Sequence, residues 1–339
     1  MATAFAVYSA DDNSLNFYKR DTVPTAGSSF NGKAATAVYT GIETDRYIWD
    51  NAANVATTPW YGYHASVTSV NFVDSGIKPA STAHWFEDFS SVTSIENLNK
   101  LDTSNTTDME SMFNSCSKLT TLDVSILNTL KATTLRSMFN GCKALTSLDV
   151  SNFNTSNTTN MGRMFRNCTV LTNITGLSSF DTSKVTDMTN MFYSCQALTS
   201  LDVSSFNTAK VRNMSHMFRS CEALTTIYVS DKWNTVSVTN SVYMFTDCSK
   251  LPNFNSSAVD KTNAHYNEGG YLTYKRYISA ADKVKVVLEK GAVDIIVNTI
   301  KEIESSIPAY TSADEGKFLR VVNGAPAWIS IENAEGASF

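Results

Sequence analysis

The sequence has no surplus of basic residues. Its 27 lysines and arginines are outnumbered by 32 aspartates and glutamates, which gives a formal net charge of -5 over 339 residues. A protein that binds a phosphate backbone needs clustered positive charge to displace counterions. The composition therefore argues against nucleic acid as a partner.

The sequence also lacks recognisable membrane and export segments. No stretch approaches the roughly 18 consecutive apolar residues that a membrane-spanning helix needs. The first twenty residues have neither the cationic start nor the apolar middle of a signal peptide, and residues 333–339 form no cell-wall sorting signal. We therefore expect no membrane insertion and no Sec export, so that another factor would carry the protein outside a cell.

Patterns typical of catalysis and metal binding are missing as well. No C-x-x-C, G-x-S-x-G, Walker-type or G-x-G-x-x-G string occurs. The histidines share no spacing with acidic residues that would favour a metal site or a general base, so they are predicted to be isolated surface residues: His64, His84, His216 and His265. We expect no enzymatic activity, no cofactor and no metal.

What the sequence does contain is an internal repeat. Its cysteines are spaced by 26, 26, 27, 26 and 27 residues, and each lies three residues after a phenylalanine. One copy upstream, Phe89 keeps the step in place of a cysteine, so that seven rungs run from about Ser66 to Phe254. Such spacing belongs to a structural ladder and not to a four-ligand cluster, and it predicts buried free thiols. The six cysteines are Cys116, Cys142, Cys168, Cys195, Cys221 and Cys248.

Each rung has the pattern of a short helix followed by a short strand. The helical spacing i, i+3, i+4 and i+7 appears in Met161, Met164, Phe165 and Cys168. The strand pattern, apolar residues alternating with polar ones, appears in residues 119–124, 145–150 and 198–203. Because neither element can bury its apolar side alone, we predict an α/β repeat: a leucine-rich-repeat-type solenoid with a parallel sheet on one face and helices on the other.

The recurring strings N-M-x-x-M-F-x-x-C and L-T-S-L-D-V-S-x-F-N-T closely resemble the BspA-like leucine-rich-repeat family. The resemblance covers residues 66–255, and several positions recur in each of several copies. It implies a protein exposed on a surface and used for adhesion, or a phage or prophage protein.

The flanks are predicted to close and to carry the repeat array. Residues 1–65 contain short alternating runs and are predicted to form an N-terminal β cap over the first rung. Residues 256–290 are predicted to be a linker or closing cap. Residues 291–339 are predicted to form an oligomerising or docking stalk, a short coiled coil followed by a β-hairpin.

The stalk prediction rests on an apolar seam with the 3, 4, 3, 4 spacing of a heptad pattern, formed by Val293, Ile296, Ile300, Ile303 and Ile307. Isoleucine at both seam positions favours three or more parallel helices, so we predict a homotrimer. The seam spans about two heptads, and a single helix packed on the solenoid is the alternative. Pro308 ends the helix in either case.

The end of the chain is predicted to be a β-hairpin. Two alternating runs, Lys317 to Val322 and Ala325 to Ile331, flank Asn323-Gly324, the preferred dipeptide of a type I′ turn. Residues 309–328 resemble modules at the ends of tail and fibre proteins of gut phages. That resemblance implies docking to other phage structural proteins through this region.

The candidate receptor-binding residues lie on the outward side of the predicted strands, where repetition aligns them in two rows. One row contains Thr121, Ser147, Asn173, Ser200 and Thr226, and the other contains Asp123, Asp149, Asp202 and Tyr228. Such rows could bind the hydroxyls of a glycan, or they could serve only to keep the sheet soluble. A second candidate is the aromatic cluster Trp49, Trp60, Tyr61 and Tyr63, for which core packing is the alternative.

Together these features predict a trimeric tail-fibre or receptor-binding adhesin of a phage or prophage, located on the virion, that presents the solenoid to a host-cell glycan or protein. Trimerisation would add avidity to weak single contacts. A bacterial cell-surface adhesin is the first alternative. A structural head-fibre or decoration protein of a phage particle is the second.

Overall fold

A computed structural model describes residues 2–44, 58–275 and 277, together with the backbone of two strands at 317–322 and 325–330. The chain divides into two compact units, Met1–Tyr277 and Ile278–Phe339. The described residues form mostly short strands and turns in open sheets. Their only helical segments are four 3-10 turns of three residues each: η1 Tyr61–Tyr63, η2 Leu98–Lys100, η3 Leu177–Ser179 and η4 Lys261–Asn263.

The first unit opens with a five-stranded sheet in the order β5-β1-β2-β6-β7. The N-terminal strands are β1 Thr3–Ser9, β2 Ser14–Arg20, β3 Ser29–Phe30, β4 Lys33–Ala34 and β5 Ala37–Thr40. Strand β2 then pairs in parallel with β6 (Ser69–Phe72), with Leu15 opposite Val70, and β6 pairs in parallel with β7 (Ser94–Glu96). The N-terminal segment and the first two rungs therefore share one sheet.

The later rungs contribute short parallel strands. Strand β8 (Ser147–Asp149) pairs with β9 (Asn173–Thr175), and β10 (Ser200–Asp202) pairs with β11 (Thr226–Val229), which in turn pairs with β12 (Thr273–Tyr274). We call this side of the repeats the strand wall. Residues 121–123 form no strand, so the predicted strand of that rung is wrong.

A second ladder runs unbroken along the repeats, just before the methionine-rich segment of each rung. Its members form parallel bridges from one rung to the next: Ser81, Asp108, Thr134, Asn160, Asp187, Asn213 and Asn240. The successive rungs are thus stacked in register over this whole stretch.

The predicted helices are absent from the described part of every rung. Residues 188–195 show what replaces them, because their N–H groups alternate between two kinds of acceptor. Every second N–H donates to the next rung: Asn190 to Ser215 O at 2.9 Å, Phe192 to Met217 O at 2.9 Å and Ser194 to Arg219 O at 2.8 Å. Those in between close local turns: Met191 to Met188 O, Tyr193 to Asn190 O and Cys195 to Phe192 O. We call this side of the repeats the turn wall.

The helix prediction is wrong for a physical reason. A segment of eight residues is too short to be a stable helix by itself, and an α-helix would satisfy its donors internally. Here Asn190 and Ser194 adopt left-handed backbone angles, with φ of 54° and 57°, which direct alternate donors along the stack. Each rung is therefore held to its neighbour by backbone hydrogen bonds on this wall as well.

The side chains nevertheless point as the spacing predicts. The ten methionines of the repeats are fully buried, as are the phenylalanines and cysteines of the motif, apart from Cys168 at 1% exposure. One phenylalanine per rung stacks on the next with ring centroids 5.5 to 5.9 Å apart, in the column Phe86, Phe113, Phe139, Phe165, Phe192, Phe218 and Phe245. This column runs through one continuous core.

The strand wall is interrupted where the repeat is one residue longer. From Ile95 to Leu122 and from Ile174 to Leu201 the step is 27 residues, and neither pair belongs to a described strand ladder. The added residue lies after the strand, where Asn97 and Gly176 turn the chain with positive φ into the 3-10 turns η2 and η3. The step from Leu122 to Leu148 is 26 residues, but it sets two aspartates, Asp123 and Asp149, side by side, and like charges oppose pairing.

In the second unit, β13 (Lys317–Val322) and β14 (Ala325–Ser330) pair antiparallel with Val322 opposite Ala325. The predicted hairpin is thereby confirmed. The trimer seam, Val293, Ile296, Ile300, Ile303 and Ile307, lies outside the described residues and stays a prediction. None of the helical segments among the described residues could span a membrane.

Candidate functional site

The rows predicted on the strand wall point outward. Thr121, Asp123, Ser147, Asp149, Asn173 and Ser200 are exposed, and Asp202, Thr226 and Tyr228 are half-buried. The apolar residues between them face the core: Leu148, Leu201 and Ile227 are at most 3% exposed. The alternation of one buried and one exposed side chain is what a strand with one solvated face produces.

The two rows are not continuous. Register pairing brings Ser147 opposite Asn173, and Asp149 opposite Thr175. In a second patch Ser200 lies opposite Thr226, Asp202 opposite Tyr228, and Tyr228 opposite Thr273. Thr121 and Asp123 belong to no described strand, so the candidate residues form two short patches and not one surface of five rungs. Within a patch, neighbouring strands, and therefore successive members of a row, lie about 4.8 Å apart.

The aspartates of the row also hold their own turns. The Oδ1 atom of Asp123 accepts hydrogen bonds from the Ser125 hydroxyl at 2.6 Å and from its backbone N–H at 3.0 Å. Asp149 accepts the N–H of Ser151 at 2.9 Å. These serine donors lower the pKa of both carboxyl groups, so both are ionised at neutral pH. One oxygen of each carboxylate therefore has a structural role, and replacing either aspartate by alanine would remove a turn as well as a charge.

The third aspartate already has a partner. Burial by itself would raise the pKa of Asp202, but Lys275 and Ser204 hold it below its ordinary value. The Nζ of Lys275 lies 2.6 Å from Asp202 Oδ2 and 5.3 Å from the ring centroid of Tyr228. In the second patch, the Asp202 carboxylate is therefore already paired with Lys275, which directly follows β12. The repeat pattern did not reveal Lys275 because it lies 73 residues along the chain, beyond the last rung.

The aromatic cluster of the N-terminal region packs inward. Trp60 is 1% exposed and donates its indole N–H to the Trp85 carbonyl at 2.6 Å, and Tyr63 stacks on Tyr8 with centroids 3.9 Å apart. Tyr61 donates its hydroxyl to Asp88 at 2.9 Å. Core packing therefore accounts for Trp60, whereas Trp49 lies outside the described residues.

The histidines do not all behave as predicted. His84 is 7% exposed and contacts the Glu87 carboxylate, so its assignment to the surface is wrong. His84 has a left-handed backbone, with φ of 60°, and Glu87 follows it three residues later. Among the described residues no group of three or more histidine, cysteine or acidic side chains could hold a metal ion.

The six cysteines are free and buried, as the sequence predicts. Each thiol donates to the carbonyl of the phenylalanine in the preceding rung, for example Cys168 to Phe139 O at 3.2 Å and Cys195 to Phe165 O at 3.0 Å. Each cysteine therefore bonds its rung to the preceding one. Burial raises the pKa of Cys168 and of Cys248 to about 12.

We expect these thiols to be unreactive in the folded protein. At pH 8 a disulfide reagent such as DTNB should label essentially none of the six cysteines, and in urea it should label all six, because only the thiolate reacts. The thiol pKa values are higher in the folded protein than in the unfolded chain. The buried neutral thiols therefore make their full contribution to stability below the unfolded thiol pKa, and this contribution is lost as the pH rises from about 9 to 12. Rapid labelling of several thiols in the native protein would contradict the buried ladder.

Comparison with solved structures identified a leucine-rich cell-surface protein from Faecalibacterium prausnitzii A2-165. It is 15% identical in sequence, and the match covers 71% of this chain and 72% of that one with a TM-score of 0.28. A score of this size does not correspond to superposition of the two folds as wholes. No curated protein sequence matches the chain.

A family match covers the repeats themselves. It spans residues 81–176 and 171–273, so that together the two matches include more than half of the 339 residues. Together they include the stretch where the bridge ladder and the phenylalanine column stack the rungs, from Ser81 to Phe245, and continue to residue 273. By this match the chain belongs to the family described as Mycoplasma protein of unknown function, DUF285.

Proposed function

We propose that the chain is a non-enzymatic surface adhesin whose rungs form a leucine-rich-repeat-type solenoid that presents the strand wall to a glycan or protein on another cell. The observation that carries this proposal is the register of the outward polar side chains. Ser147 and Asn173, and likewise Ser200 and Thr226, stand at equal heights on adjacent strands. A surface that repeats its donors and acceptors suits a ligand that repeats its hydroxyl groups.

The finer proposal is a tail-fibre or receptor-binding protein of a phage or prophage. It is supported by the resemblance of residues 309–328 to phage fibre modules and by the hairpin that these residues share with β13 and β14. The heptad seam from Val293 to Ile307 would join three copies and give avidity to weak contacts. A bacterial cell-surface adhesin would bind through the same strand wall but would be attached to a cell instead of a phage particle.

The strand wall can be tested without breaking its turns. Asparagine keeps an oxygen that accepts the turn hydrogen bond and removes only the charge. We expect the double variant Asp123→Asn, Asp149→Asn to bind immobilised host-cell glycans about tenfold more weakly than the parent, since a hydrogen bond to a charged group contributes roughly 1.5–3 kcal/mol. Binding is measured on a glycan array and on whole cells.

Asp181 provides the matched control. It is exposed and lies outside both rows, it accepts the N–H of Ser183 at 2.9 Å in the same kind of turn, and its pKa is lowered by the same kind of serine donor. The variant Asp181→Asn should bind like the parent. If the parent, the double variant and Asp181→Asn bind equally well, the two rows serve only to keep the surface soluble.

A further inference from the structure

The turn wall carries a cluster of arginine and tyrosine side chains on three consecutive rungs. Arg166, Tyr193 and Arg219 each follow the buried phenylalanine of their rung. Backbone bonds hold these positions in register: Asn167 donates to the Tyr193 carbonyl and Ser194 to the Arg219 carbonyl, both at 2.8 Å. Side chains at this position therefore form a column up the outside of the wall.

The column is ordered by cation–π contacts. The Tyr193 ring lies between two guanidinium groups, with Arg166 Cζ 4.9 Å and Arg219 Cζ 5.9 Å from its centroid. Arg219 also lies 5.5 Å from the centroid of Tyr243, and His216 stacks obliquely on the same tyrosine at 5.3 Å. The rings hold the arginines in place without neutralising them.

The positive charge of this surface is only partly offset by carboxylates. Arg136 pairs with Glu110 at 2.6 Å, but within the described part of the chain Arg163, Arg166 and Arg219 form no ion pair. There the Nε of Arg219 is buried and has no hydrogen-bond partner. Burial, with the positive charges of Arg219 and Arg166, lowers the pKa of His216, which is the expected effect of a local positive field.

The neighbouring Arg163 shows the same field. Although the residue is exposed, partial burial of its charged group is the first cause that lowers its pKa. The positive charges of Arg136 and Arg166 lower it further, whereas the carboxylates of Asp187 and Glu110 raise it. A positive patch thus stands on a chain whose net charge is -5. The patch is not apparent in the sequence because Arg163 and Arg166 belong to one rung and Arg219 to a rung two steps later.

We infer that Arg163, Arg166 and Arg219 form a binding site for an acidic polysaccharide, to whose carboxylates the guanidinium groups would donate paired hydrogen bonds. Planar forks match carboxylate geometry and bind it by two parallel hydrogen bonds. Tyr243, which is 50% exposed, offers an aromatic face beside them on which a sugar ring can stack. This site lies on a different wall from the aspartate rows and takes ligands of the opposite charge, so it goes beyond the adhesion site proposed above.

An acidic glycan suits the patch better than a nucleic acid. A duplex presents one charge per about 1.7 Å of its axis and requires many simultaneous phosphate contacts. Three arginines on a wall that also carries Glu110 and Asp187 would meet only a short run of charges. A polysaccharide with one carboxylate per sugar residue matches this lower density.

The test uses polygalacturonate oligomers as the probe, with dextran of equal length as the neutral comparison, in calorimetric titrations of the full chain at 50 and 150 mM salt. We expect the parent to bind polygalacturonate with a dissociation constant below about 1 mM at the lower salt, and to show no binding to dextran. The double variant Arg166→Gln, Arg219→Gln should bind at least about tenfold more weakly. Because Arg219 packs on two rings, the exposed Arg163→Gln serves as a second variant that should leave folding intact and still weaken binding.

Two controls separate this site from general charge and from the strand wall. Lys118 and Lys143 are exposed cations outside the cluster, and the variant Lys118→Gln, Lys143→Gln removes the same charge but should bind like the parent. The strand-wall variant Asp123→Asn, Asp149→Asn should bind polygalacturonate at least as well as the parent, so failure of one site does not imply failure of the other. The inference is overturned by no binding of the parent, by equal losses in the lysine control, or by equally tight binding of a DNA duplex.

Discussion

Replacing Gly176 by alanine is expected to lower the free energy of unfolding by about 3 kcal/mol or more. Gly176 has φ of +95°, which an L-residue adopts at a cost of roughly 1–2 kcal/mol. A Cβ at this position would also lie 2.2 Å from the backbone N of Ser151 and 2.3 Å from its Cα. Backbone atoms cannot move aside as a flexible side chain can, so two adjacent rungs would have to separate. Urea denaturation followed by circular dichroism measures the loss.

Gly27 provides the control for this prediction. Its φ is +82°, but nothing lies within 4 Å of the position that a Cβ would take. Gly27→Ala should therefore show only the backbone cost. If Gly176→Ala were no more destabilising than Gly27→Ala, the close approach of the two rungs at Ser151 would be refuted. We also expect Gly176→Ala to bind glycans more weakly. The added Cβ would displace Ser151, whose N–H donates the hydrogen bond that orients Asp149.

Replacing Thr129 by valine is expected to cost about 2 kcal/mol or more, although the two side chains have nearly the same shape. Thr129 is 1% exposed, and its hydroxyl donates to the Asn154 carbonyl at 3.0 Å while accepting the Asn154 N–H at 2.7 Å. A single hydroxyl thereby satisfies both backbone groups of a residue in the next rung. Valine leaves both groups without this partner, and an unmet backbone group costs more than a hydrogen bond contributes.

A serine variant distinguishes the hydroxyl from the methyl group. Thr129→Ser loses packing but keeps the donor and acceptor, so it should be more stable than Thr129→Val. The exposed Thr120 is the control: Thr120→Val should change stability by less than about 0.5 kcal/mol. Serine proving less stable than valine at position 129 would show that packing, and not the bond between rungs, explains the threonine.

Thr129 represents a column that the sequence analysis did not interpret. The same hydroxyl bonds recur in Thr103, Thr155, Thr182 and Thr208, each donating to a carbonyl of the next rung. At positions 155 and 208 this threonine ends the recurring string F-N-T. Its burial could have been inferred from its strict recurrence at one position of the repeat.

The candidate site shows a similar division. The outward direction of Ser147, Asp149 and Asn173 could be predicted, because a strand with one buried face must expose alternate residues. The break between Asn173 and Ser200 could not, because it depends on where an added residue is accommodated. The turn at Gly176 takes it up on the strand wall, while the bridge from Asn160 to Asp187 stays intact.

The sequence by itself determined which side chains are buried and at what interval the rungs recur, since contact with water sorts residues by their spacing alone. Only the tertiary structure decided how the backbone of the turn wall is bonded. The spacing of Met188, Met191, Phe192 and Cys195 buries the same atoms in a helix or in a series of turns. The outcome depends on whether an N–H finds its acceptor four residues back or one rung away, and the neighbouring rung supplies that acceptor only after the stack has formed.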